Sequence, residues 1–130
     1  MAAALFNKVA TKRGLDVRIE SAGLFAADGE NASNEAIIAM QKYDIDLLGH
    51  HAQSLNAELL EKSDLILTMT AAHKMVLFES VQGKVFTLCE YAGVDYDIED
   101  PFGGDVEEYE ECAETIYEAL ERVADRLENN

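Results

Sequence analysis

An α/β fold built on a parallel sheet is predicted by three observations. Segments of strand character alternate with segments of helix character along the chain. The run Leu65-Ile66-Leu67-Thr68-Met69 is almost continuously apolar, as a strand covered on both faces is. Residues 105–127 carry one apolar stripe, Val106, Tyr109, Ala113, Ile116, Leu120, Val123 and Leu127, in steps of three and four. That is the spacing of a single buried helix face packing on a sheet, and it makes a coiled coil the weaker reading.

The elements follow in order. Residues 1–13 read as a helix with Leu5, Val9 and Ala2 on one stripe and Phe6 beside it, stopped by Gly14. It opens at Met1 with no capping residue, an unfavourable start. Val17-Arg18-Ile19-Glu20 alternates like a half-covered strand and runs into the loop Ser21-Ala22-Gly23-Leu24-Phe25. A helix from Ser33 to Tyr43 is capped by Ser33 or Asn31 and turns Ala36, Ile37 and Met40 inward. A short connection, Asp44 to Gly49, leads to His50-His51 and then to a helix capped near Asn56 that ends at Lys62. Thr70 caps a helix through Ser80, and Val85-Phe86-Thr87-Leu88 reads as a further strand. No repeat or linker divides the 130 residues, which read as one domain.

Composition narrows the partners. A net charge of −16 argues against nucleic acid and anionic membranes, and it disfavours anionic substrates unless a local site compensates. Over half of the acids lie beyond Tyr91. No apolar run approaches membrane-spanning length and no basic-plus-apolar leader is present, so a cytoplasmic setting is expected. Cys89 and Cys112 fit neither a metal spacing nor a disulfide framework, and His50 and His51 have no third ligand at a useful spacing; no metal or other cofactor is expected.

The stretch Asp100-Pro101-Phe102-Gly103-Gly104 holds the only proline of the chain. Pro101 fixes its own φ and pushes Asp100 out of the helical region, and the glycines let the backbone turn before the long helix. Asp100 therefore reads either as a turn-capping acid or as a positioned general acid with an aromatic beside it.

Taken together, the motifs Ala3-Leu5-Phe6, Ser21-Ala22-Gly23-Leu24-Phe25, Gly49-His50, Asp64 to Thr70 with His73-Lys74, Lys84 to Leu88, and Asp100 to Gly104 resemble the low-molecular-weight protein tyrosine phosphatase family. The resemblance spans essentially the whole chain and points to the bacterial branch that includes protein arginine phosphatases. It implies a three-layer fold, with a four-stranded parallel sheet between helices. It implies hydrolysis of phosphotyrosine or phosphoarginine in a protein substrate through a cysteinyl-phosphate, with Asp100 as general acid and then base. Phe25 and Phe102 would line the mouth, and Ser21 and His50 would brace the phosphate loop.

One departure from the family pattern is large. Its first strand and its C-x5-R phosphate loop, about fifteen residues, have no counterpart here. Six positions after Cys89 stands Asp95, and six after Cys112 stands Glu118, so neither cysteine belongs to such a loop. The 130 residues are therefore expected to be an N-terminally truncated, inactive form whose sheet lacks its central strand. The strands at Val17 and Leu65 would then either pair directly or complete each other in a swapped homodimer. Two alternatives stand beside the phosphatase reading. One is a non-catalytic interaction module. The other is a thiol-dependent arsenate reductase relying on Cys89, for which the buried-hydrophobe reading competes.

Overall fold

The computed structural model describes residues 1–22, 33–47, 56–78, 83–94, 98, 101 and 103–129. Its elements run α1 (Ala2–Arg13), α2 (Asn34–Gln41), α3 (Ala57–Lys62), β1 (Ile66–Thr68), α4 (Ala71–Phe78), β2 (Val85–Thr87), α5 (Leu88–Ala92) and α6 (Val106–Glu128). β1 and β2 pair in parallel, with Ile66 opposite Val85, Leu67 opposite Phe86 and Thr68 opposite Thr87. The chain thus passes from strand through helix α4 to a parallel strand, the unit expected from alternating patterning.

Helix ends follow the local chemistry. Ser33, Asn56, Thr87 and Asp105 each accept a backbone N–H of the first turn that follows them. Thr87 and Glu90 form a reciprocal capping box. Gly14 and Gly93 end α1 and α5 in the left-handed conformation. Asp44 takes that conformation after α2, with φ 58, where its N–H reaches Gln41 O and the N–H of Ile45 reaches Met40 O.

The core gathers on α6. Tyr109, Ala113, Ile116, Leu120 and Val123 are buried as the stripe predicts, while Ala119 and Ala124 widen the face. Alanines here let α1, α2 and α5 lie close against α6, and Leu5, Val9, Met40, Leu88 and Cys89 fill the space between them. Two polar clasps reinforce the packing. Arg13 binds Glu121 and Asp125 (2.6 Å) at the end of α1. Tyr43 stacks on Tyr117 with ring centroids 5.2 Å apart.

Two expectations fail. Val17–Glu20 forms no strand; the segment pairs with neither β1 nor β2, and Val17 is 40% exposed. Alternation alone cannot make a strand without a neighbour to complete its ladder. Direct pairing of this segment with β1 is therefore absent among the described residues. Leu88, read as the end of a strand, instead opens α5, because the Thr87–Glu90 box turns the chain into a helix at once. No helix among the described residues is long and apolar enough to cross a membrane.

Candidate active site

In an open parallel sheet, ligands gather beyond the carboxyl ends of the strands. Here that rim is built from three threonines. Thr68 ends β1, is buried, and donates its hydroxyl to Thr70 O at 3.0 Å. The Thr70 hydroxyl accepts the N–H of His73 at 3.3 Å and so starts α4. Thr87 ends β2 and starts α5. Both strands therefore hand over to helices within three residues, and the rim carries helix N-termini and hydroxyls.

The segment around Asp100 is tied to this rim on one side and to α6 on the other. Ile98 is buried, and its N–H reaches Met69 O, just past β1, at 3.2 Å. Beyond Asp100, the N–H of Gly104 reaches Pro101 O at 2.8 Å, closing a turn in which Gly103 has φ 82. A side chain at Gly104 would require its neighbours to shift. A Cβ there would lie 2.9 Å from Pro101 O and 2.5 Å from a Glu108 carboxylate oxygen. Asp105 then accepts the Glu108 N–H at 2.9 Å and launches α6. Asp100 and Phe102 themselves lie outside the described residues, as do Phe25 and His50. Ser21 is described; it is exposed on the segment that follows α1.

A cation–aromatic cluster lies beside β2 and α5. Lys74 pairs with Glu90 at 2.7 Å and lies 5.7 Å from the centre of the Phe86 ring. The hydrogen bond from Lys74 holds the Glu90 carboxyl below its ordinary range. Arg126 stacks over Tyr91 at 3.9 Å and lies 6.0 Å from the Phe86 ring centre. This cluster was missed in the sequence because its members come from α4, β2, α5 and α6. The Thr87–Glu90 spacing was the one local signal for its α5 part.

Neither cysteine is placed as an exposed nucleophile. Cys89 is fully buried in α5 and Cys112 is half-buried on α6. The burial of Cys89 fits the small-hydrophobe reading and disfavours a redox role. His73 is exposed in the first turn of α4. Among the described residues no three His, Cys, Asp or Glu side chains converge as a metal site would require.

A parallel α/β unit whose strands hand over to helices at one rim, with a proline-pinned turn beside it, is the setting in which open-sheet domains bind their ligands. The family model for low molecular weight phosphotyrosine protein phosphatase matches residues 1–130, and the chain belongs to that family. It is 38% identical to the protein-arginine-phosphatase of Bacillus subtilis, over all of this chain and 89% of that protein. It is 40% identical to the low molecular weight protein-tyrosine-phosphatase PtpB of Staphylococcus epidermidis, over 81% of this chain and 76% of that one. Among solved structures, a YwlE arginine phosphatase mutant with a phosphorylated active-site serine superposes with a TM-score of 0.94 at 37% identity. The match covers 99% of this chain and 87% of that one.

Proposed function

We propose that these residues form the acid-bearing body of a cytoplasmic phosphatase that removes phosphate from phosphotyrosine or phosphoarginine in proteins. Asp100 protonates the leaving group and then activates water. Phe25 and Phe102 line the mouth, and Ser21 and His50 brace the phosphate-binding loop. The observation that carries the reading is whole-chain kinship with protein-arginine- and protein-tyrosine-phosphatases. The anchoring of Ile98 to the end of β1 and the closed Pro101–Gly104 turn support it, because together they bracket Asp100.

A cysteinyl-phosphate requires a thiolate beside an anion cradle, and no cysteine among the 130 residues is followed six positions later by arginine. We therefore propose that the 130 residues alone turn over no phosphate. The test is release of phosphate from p-nitrophenyl phosphate and from a phosphoarginine peptide. The 130-residue chain is expected to stay at the buffer rate. A form that also carries a Cys-x5-Arg loop is expected to be active and to lose about 10²–10⁴-fold on Asp100→Asn. Turnover by the 130-residue chain alone would overturn the first statement. An unimpaired Asp100→Asn enzyme would remove Asp100 from the mechanism.

A further inference from the structure

Helix α3 buries no residue of its own, and its apolar pair, Leu59 and Leu60, is half-buried and takes no part in the core cluster. A helix of six residues does not hold its shape unaided, because so few backbone bonds fall short of the cost of starting it. Its ends therefore decide whether it persists. At the amino end Asn56 accepts the Leu59 N–H at 2.9 Å. At the carboxyl end the last carbonyls find two sets of partners. The Ser63 N–H and hydroxyl both reach Leu59 O, at 3.1 and 2.6 Å. The Lys84 ammonium reaches Leu60 O at 2.6 Å and Ser63 O at 2.8 Å, with Glu61 O farther off at 3.5 Å.

Of these partners only Lys84 lies outside the stretch of chain that forms α3. Its own backbone is fixed: it directly precedes β2, and its carbonyl accepts the Ile66 N–H of β1 at 2.9 Å. An ammonium brings three donors and a charge suited to the negative end of a helix. Among the described residues it is the one hydrogen-bonding side chain that ties α3 to the strand pair. We propose that α3 is a flap that opens as a unit while the core on α6 stays closed, and that Lys84 is the latch that holds it shut. Opening breaks the clasp at Leu60 O and Ser63 O and uncovers Leu59 and Leu60. The latch sits at the amino ends of β1 and β2, opposite the Thr68–Thr87 rim, so this device is independent of the phosphatase reading.

Amide hydrogen exchange followed by NMR, on the whole chain at low urea, tests the flap. The reporters are Leu60 and Ser63 for α3, whose N–H groups bond to Asn56 O and Leu59 O, and Leu120 and Val123 for α6. The α3 amides are expected to exchange faster than those of α6 and with little dependence on urea, since opening the flap exposes little surface. Ile116→Val, a conservative change in the buried core, is expected to speed α6 exchange about three- to tenfold and to leave α3 exchange within about twofold. Lys84→Met is expected to speed α3 exchange about five- to twentyfold. Lys62→Met, which removes only the exposed pair with Glu58, is expected to change it about twofold or less. The proposal is overturned if the α3 amides share the rate and urea dependence of α6, if they follow Ile116→Val as α6 does, or if Lys84→Met affects them no more than Lys62→Met.

Discussion

Replacing Gly104 by alanine tests how the turn around Asp100 is built. The added methyl would lie 2.5 Å from Glu108 Oε2 and 2.9 Å from Pro101 O. The first neighbour is the end of a flexible side chain and swings away at small cost. The second is backbone, already held by the 2.8 Å bond from Gly104 N–H that closes the turn. Relief therefore means opening that turn and shifting Pro101. Overpacking of this kind costs about 1–3 kcal/mol. Alanine returns about 0.4–1 kcal/mol by restricting the unfolded chain. The net loss is about 0–2.6 kcal/mol, with a midpoint of about 1.3 kcal/mol and a corresponding fall in Tm of about 5 °C for a chain of this size. Thermal unfolding followed by circular dichroism measures it. The double variant Gly104→Ala, Glu108→Ala separates the two contacts, and most of the loss is expected to persist in it. An unchanged or raised Tm in Gly104→Ala, or full recovery in the double variant, would refute the backbone argument.

Two further outcomes follow from clasps elsewhere. Lys84 donates to Leu60 O at 2.6 Å and Ser63 O at 2.8 Å, closing the end of α3, a helix with no buried residue of its own. Lys84→Met is expected to cost about 1–2 kcal/mol and to speed hydrogen exchange at the last amides of α3; unchanged exchange there would count against the clasp. Arg13 holds the Glu121 carboxyl below its ordinary value of 4.5, mainly through their hydrogen bond. A carboxylate with a depressed folded value contributes stability above its unfolded value and loses it as pH falls through the folded one. Arg13→Met is therefore expected to lower the urea midpoint at pH 7, with the gap to the parent chain closing below about pH 4. A gap of equal size at both pH values would contradict this assignment.

Much of the scaffold was legible before any coordinates, and the reasons are local. The α6 stripe and the caps at Ser33 and Asn56 are written in residues three or four apart, so periodicity and capping chemistry suffice to find them. The capping box at Thr87 was equally legible, but the β-branched and aromatic run before it drew the strand one residue too far. Val17–Glu20 misled for a different reason. A strand is a relation between two segments, and no alternation within one of them reveals whether the other is there. Asp44 in a left-handed turn after α2 was invisible, because glycine is the usual signal for that conformation. For the site, Asp100 with its proline and glycines announced a constrained acid. The role proposed for it rests on kinship alone, and the cation–aromatic cluster of Lys74, Phe86, Tyr91 and Arg126 is assembled from distant stretches that no local pattern links.

Helix α5 is five residues long, yet it touches α6 on one side and both strands on the other, while α1 and α2 rest on α6 and α4 rests on the strands. Among the described residues α5 thus links the helices gathered on α6 to the strand pair within one shared core. A lesion that loosens Leu88 or Cys89 would therefore weaken the core around α6 and the hold on the strands together.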